Sequence, residues 1–260
     1  MSAAAKVLAF ELRNQLRSRW ILGYGLLFAL LTDALLRFGG GGPRVVVSLL
    51  NVVLLVVPLV SVVFGTLHVS GAREFLELLL AQPVGRGSLY VGLYLGLGLP
   101  LAAAVTLGIT VPVLLHGGAG TPGLGVLLAA GALLTFVFTS LAFLAGVRFD
   151  DRAKGLGAAL LAWFAATVLY DGLVLLVATL LADYPLEAPM LGLTLLNPVD
   201  LARVLLLLQV DAAALMGYTG AVFERFFGSS LGVLSATGAL LLWTVVPFLL
   251  GLAGFRRKDF

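Results

Sequence analysis

Two carboxylates lie inside long apolar stretches, Asp33 within 20–36 and Asp171 within 156–182. A bare charge at the centre of a bilayer costs about 3 kcal/mol, so a buried acid must be paired, hydrated or in use. Asp33 has Arg37 one helical turn later, and Asp171 has Tyr170 and nearby hydroxyls within reach. The alternative is a polar lining, or an interhelix hydrogen bond that changes between conformational states. Two carboxylates sharing a proton could do acid–base work, but no spacing here forces these two together.

Other reactive groups are sparse. There is no cysteine, which removes disulfides, thiolate nucleophiles and thiolate metal sites. His68, His116, Met190 and Met216 are scattered, and no pair has the i, i+3 or i, i+4 spacing that sets two ligands on one helix face. No metal site is expected on this chain. Tyr170-Asp171 is half of the intramembrane aspartyl protease signature, but the Gly-x-Gly-Asp half is absent and Leu31-Thr32-Asp33-Ala34 does not replace it. A Gly-x-x-x-x-Gly-Lys-Ser/Thr phosphate loop is also missing, so ATP binding of that kind would have to come from another polypeptide. The chain is not expected to be an enzyme.

The elements that position these residues follow from composition. Of 260 residues, 61% are hydrophobic and only 11% charged, and mean hydropathy is +1.12, too greasy for a soluble domain. Six blocks are long enough to span: 20–36, 45–69, 89–115, 124–147, 156–182 and 231–254. Residues 1–19 carry Lys6, Arg13, Arg17 and Arg19 and read as an amphipathic helix in the headgroup plane, with Val7, Phe10, Leu12 and Leu16 on one side, rather than as a signal peptide. Twelve of the sixteen Lys/Arg fall in the N-terminus, the second-to-third and fourth-to-fifth connections and the tail; Arg37, Arg44, Arg203 and Arg225 are the exceptions. This asymmetry places both termini in the cytoplasm. The basic residues are membrane anchors, so no nucleic-acid role is implied. The fold class is therefore an all-α polytopic membrane protein, one transmembrane domain over 1–260. No inverted repeat of the secondary-transporter kind is evident. Gly92-x-x-x-Gly96 would let two helices approach closely.

Two connections stand out. Residues 71–87, on the cytoplasmic side, read as a short helix ended by Pro83, with Arg73, Glu74, Glu77 and Gln82 as polar contacts and Phe75, Leu76, Leu78, Leu79 and Leu80 too apolar for a free loop. Either the helix rests on the lipid or it docks into another protein. Residues 183–230, on the outer side, form the longest connection. Asn197-Pro198-Val199-Asp200 is a helix start, with Asn as N-cap and Pro at the first position. A helix over 201–209 follows, and a second over 211–227 is plausible by composition. Tyr218, Phe223, Phe226 and Phe227 among Asp183, Glu187, Asp200, Asp211 and Glu224 suit a protein-docking platform with aromatic anchors and a charged rim.

Arg73-Glu74, the Leu78-Leu79-Leu80 run, Pro83 and Arg86 between spans two and three resemble the coupling segment of ABC-2 type permeases. The amphipathic start, six spans, long fifth outer connection and final Phe255-Arg256-Arg257-Lys258-Asp259 carry the resemblance across the chain. Ala81-Gln82-Pro83-Val84, Asn197-Pro198-Val199-Asp200 and Met216-Gly217-Tyr218-Thr219-Gly220 are similar, more narrowly, to the NosY-type permeases of nitrous-oxide reductase maturation, a denitrification system.

That resemblance implies a homodimeric permease in the bacterial inner membrane. It implies two cytoplasmic ATPases carrying ATP and Mg, a periplasmic β-helical partner and a copper chaperone lipoprotein, all serving the copper–sulfur centre of the reductase. Copper would sit on the periplasmic partners. Arg73, Glu74, Phe75, Glu77, Leu78, Gln82 and Pro83 would face the ATPase. Asn197, Asp200, Arg203, Asp211, Met216, Tyr218, Phe223, Glu224 and Arg225 would face the periplasmic partner. An ABC-2 exporter permease for lipid, drug or polysaccharide is the alternative within the family, and an ion-coupled secondary transporter the alternative from another class.

Overall fold

A computed structural model describes residues 3–39, 42–72, 85–118, 120–180, 187–210, 226 and 230–258. Among these the chain is helical and contains no strand. In chain order the helices are α1 (Ala3–Leu16), α2 (Arg19–Phe38), α3 (Gly42–Gly71), α4 (Arg86–Leu115), α5 (Leu124–Arg148), α6 (Arg152–Phe164), α7 (Tyr170–Leu180), α8 (Glu187–Leu196), α9 (Pro198–Gln209) and α10 (Ser230–Arg257). A five-residue π-turn, Ala165–Leu169, joins α6 to α7. Six segments are long and apolar enough to cross a membrane: Arg19–Phe38, Arg44–Gly71, Arg86–Leu115, Leu124–Arg148, Arg152–Leu180 and Leu231–Arg257. They coincide with the six blocks read from sequence, shifted by a few residues at the ends; 181 and 182, included in the fifth block, lie outside the described residues.

Local chemistry explains the helix starts. Asp151 caps α6 by accepting from Ala153 N at 2.7 Å and Lys154 N at 3.4 Å. Asn197 caps α9 by accepting from Val199 N at 3.0 Å, with Pro198 at the first helical position. Gly123 precedes α5 at φ +79°, and the side chains of Val210 and Val46 close over it, so a larger residue there would meet both strain and a neighbour. Pro58, Pro100, Pro112 and Pro247 all lie inside helices.

The bundle is organised around α5. Helices α3 and α10 flank it, and α2 and α1 lie along α4. Small residues permit these approaches. Gly65 of α3 faces Ala142 of α5, Gly146 of α5 faces Val69 of α3, and Gly108 of α4 faces the Gly25 carbonyl of α2. Tyr90, Tyr94, Phe143, Phe248 and Phe255 form an aromatic cluster joining α4, α5 and α10, with centroid separations of 4.7–5.6 Å.

Helix α1 is packed on protein. Its Val7 covers Gly92, and its Glu11 covers Gly96. The side turned to α4 thus carries Val7 and the buried Glu11, while Phe10 and Leu16 of the expected apolar face are 58% and 56% exposed. The two glycines of α4 form a groove that admits the helix backbone. Helix α1 and the last turn of α10 both lie by the first turns of α4, Val7 against Gly92 and Arg256 against Gly87. There Arg86 donates to the carbonyls of Arg256 and Lys258 at 3.0 and 2.9 Å, and Lys258 Nζ donates to Val147 O at 2.7 Å and pairs with Asp150 at 2.7 Å.

At the opposite end α8 and α9 meet at a bend of 113° instead of forming an exposed loop. Met190, Leu201, Val204, Ala236 and Leu240 build a second, smaller core between this bent pair and α10.

Candidate functional site

Asp171 begins the upper part of the fifth span, directly after the π-turn. Arg203, one turn into α9, reaches it with Nη1 at 3.1 Å from Oδ1 and Nη2 at 3.3 Å from Oδ2. The same guanidinium lies 3.2 Å from Asp200 on its own helix. One arginine therefore bridges two acids, using the fork geometry that suits paired carboxylates. Burial raises the Asp200 pKa to about 6; the positive charge of Arg203 opposes that rise, and Asp171 adds to it. The cluster opens on a cleft of about 360 Å³ whose other walls include Val174, Met190, Thr194 and Leu207.

The sequence offered Asp171 its neighbour Tyr170 as partner. The structure assigns both differently. Tyr170 Oη donates to Leu193 O of α8 at 2.7 Å, leaving Asp171 to Arg203. Asn197 is 1% exposed, and its amide is spent inside the chain: Oδ1 caps α9 and Nδ2 donates to Ala166 O of the π-turn at 2.8 Å. The fifth span and the bent pair are thus joined at Ala166, Tyr170 and Asp171. Below the turn, Trp163 Nε1 donates to Leu55 O of α3 at 3.3 Å.

Asp33 pairs with Arg37 at 2.8 Å, as their spacing predicts. His116 Nε2 stands 3.6 Å from the same carboxylate. Its Nδ1 lies 2.9 Å from Pro112 O; a carbonyl only accepts, so that nitrogen carries the proton. Asp33 and Asp171 sit on separate helices with separate cations, an arrangement for holding structure rather than sharing a proton.

A third polar cluster went unseen in the sequence. Glu11 of α1 and His68 of α3 approach to 3.6 Å, and Gln15 Nε2 lies 3.2 Å from His68 Nδ1, beside a cavity of about 540 Å³ lined by Trp20, Phe64 and Leu97. Burial raises the Glu11 pKa, against a lowering hydrogen bond from Gln15. The available signal was the Gly92-x-x-x-Gly96 spacing, which marks where α1 seats. His68 is one turn before the end of α3, so this cluster stands at the base of the connection expected to dock an ATPase.

Residues 73–84 of that connection, with Arg73, Glu74, Phe75, Glu77, Leu78, Gln82 and Pro83, lie outside the described residues, as do Asp211, Met216, Tyr218, Phe223, Glu224 and Arg225. The helix expected over 211–227 is likewise outside them apart from Phe226. Among the described residues no three His, Cys, Asp or Glu gather where they could hold a metal ion.

Comparison with known proteins bears on the whole chain. Residues 5–260 match the family described as ABC-2 family transporter protein. The probable ABC transporter permease protein NosY of Pseudomonas aeruginosa is 32% identical over 95% of this chain and 96% of its own length. The protein of the same description from Stutzerimonas stutzeri is 30% identical over 95% of this chain and 96% of its own length.

Proposed function

This chain belongs to the ABC-2 family of transporter proteins, a multi-pass permease subunit of an ABC transporter, and from that premise we propose that it serves nitrous-oxide reductase maturation. The observation that carries the proposal is the end-to-end similarity to two NosY permeases, at 32% and 30% identity. The similarity extends over 95% of this chain and 96% of each relative. Membership in an ABC family sets aside the ion-coupled secondary transporter.

In this reading both termini are cytoplasmic and the membrane is the bacterial inner membrane. The Lys/Arg asymmetry supports this, with the basic Arg256 and Arg257 at the same end of the bundle as α1. ATP and Mg are held by two separate cytoplasmic ATPase subunits, which dock on the coupling helix over 71–87. Membership in the family supports a second copy of the permease in the complex. The bent pair α8–α9 and the residues that follow serve as the platform for a periplasmic β-helical protein. Copper is cargo of the complex, held on the periplasmic partners and delivered with help from a copper chaperone lipoprotein. The permease transmits motion driven by ATP hydrolysis to the platform.

Affinity purification of the tagged chain from its native membrane, followed by mass spectrometry, tests this. An ATPase together with a periplasmic β-helical protein is the expected result. An ATPase alone would favour the alternative exporter for lipid, drug or polysaccharide. Absence of any ATPase from monodisperse protein would overturn the ATP-driven complex.

A further inference from the structure

The fifth span changes helical pitch at one place. Tyr170 N–H reaches back five residues to Ala165 O. An α-helix would give that N–H to Ala166 O. The Ala166 carbonyl instead receives the side-chain amide of Asn197, 31 positions later in the chain. A π-turn is rare and occurs mostly as a single turn inside an α-helix, so its surroundings must hold it. Asn197 is suitably placed: it is buried, and its other end is fixed by capping α9.

The turn also lies between two attachments. Before it, Trp163 is tied to α3 through Leu55 O, and its own carbonyl accepts from Thr167 Oγ1 at 2.8 Å. After it, Tyr170 and Asp171 are tied to α8 and α9. Relaxation to a regular helix would advance every later residue by one helical position, about 100° and 1.5 Å. Tyr170 and Asp171 would then leave Leu193 and Arg203 together. The regular helix would thus be a second discrete arrangement of the segment, and two such arrangements are what a coupling element requires.

We infer that Asn197 is a positioning residue: its amide holds the fifth span in the π-turn, and its release lets α7 rotate away from the bent pair. That ATP hydrolysis drives the release rests on the function proposed above. The hold itself does not.

The chain contains no cysteine, so single thiols can be introduced cleanly. Rotation by one position carries Leu176, now exposed, to the direction of Val177, which packs on the second core. It carries Ala178, packed on that core, to the exposed direction of Thr179. Both positions lie within about one turn of the outer end of the span, so labelling of Leu176→Cys and Ala178→Cys by the membrane-permeant N-ethylmaleimide, in the full chain in lipid nanodiscs, reads both. Asn197→Asp and Asn197→Ser each keep an oxygen for the Val199 N–H and remove the amide donor. Either substitution is expected to slow labelling at 176 and speed it at 178, by about fivefold, the scale of one hydrogen bond. General loosening would speed both, and that result, or no change at either position in both variants, would overturn the inference. Vanadate trapping of the complete complex is expected to shift the unsubstituted chain in the same two directions. If the variants shift and trapping does not, the hold stands and the ATP-driven function of the platform fails.

Discussion

Gly65→Ala tests how tightly the second span is held against the fifth helix of the bundle. A Cβ built at Gly65 falls 2.6 Å from Ala142 Cβ. Ordinary carbon contacts lie at about 3.5–4.0 Å, so the two helices would have to part by about 1 Å. Neither alanine has a rotamer with which to yield. Overpacking of this kind costs roughly 1–3 kcal/mol, which for a chain of this size lowers Tm by about 2–4 °C per kcal/mol. Ala142→Gly alone should also destabilise, since it removes a fully buried methyl, worth roughly 0.8 kcal/mol, and adds a helix glycine worth about as much again. The double variant only moves the methyl from α5 to α3 and keeps one glycine and one alanine at the contact. It should therefore melt near the unsubstituted protein, above both single variants. Thermal unfolding of the four proteins in one detergent, followed by intrinsic fluorescence, decides the matter. A neutral Gly65→Ala, or a double variant worse than the two losses combined, would refute the close contact.

Three further outcomes are expected. Gly96→Val should push its new side chain into Glu11 and lift α1 from α4; limited trypsinolysis should then cut at Arg13 and Arg17 several-fold faster, and unchanged cleavage would count against the seating of α1. Glu77→Arg should lower co-purification of the ATPase without altering membrane insertion, and undiminished recovery of the ATPase would argue against the coupling-helix assignment. Asp200 has a folded-state pKa of about 6 against an ordinary 3.8, so the folded protein binds a proton that the unfolded chain lacks between those values. Stability should therefore rise as pH falls from about 6 towards 4 and decline as pH rises again. Asp200→Asn should flatten that slope, and an unchanged pH profile of Tm would contradict the burial of this carboxylate.

The six spans were legible because hydropathy and length are one-dimensional properties, and a run such as 124–147 has few other outcomes. Asn197-Pro198 was legible as a helix start for the same reason: capping involves residues two apart. The partner of Asp171 was not, because Arg203 is 32 positions away and becomes a neighbour only when α8 and α9 bend. The π-turn carries no composition of its own; Ala165–Leu169 would suit an α-helix equally well, and it is the buried amide of Asn197 that distinguishes it. Glu11 read as one polar residue on a surface helix, and its burial beside His68 depended on where Gly92 and Gly96 put the groove. Asp33 and Arg37 were predictable as a pair since both lie on one helix face.

The clasp at the base of the bundle has a consequence for biogenesis. Arg86 grips the carbonyls of Arg256 and Lys258, and Lys258 grips Val147 and Asp150. Residues 256–258 leave the ribosome after every span they join. Earlier helices can therefore enter the bilayer and pair, but the ring of contacts at this end closes only when the sixth span is in place. A nascent chain stalled before that point presents an open base, with the aromatic cluster short of Phe248 and Phe255.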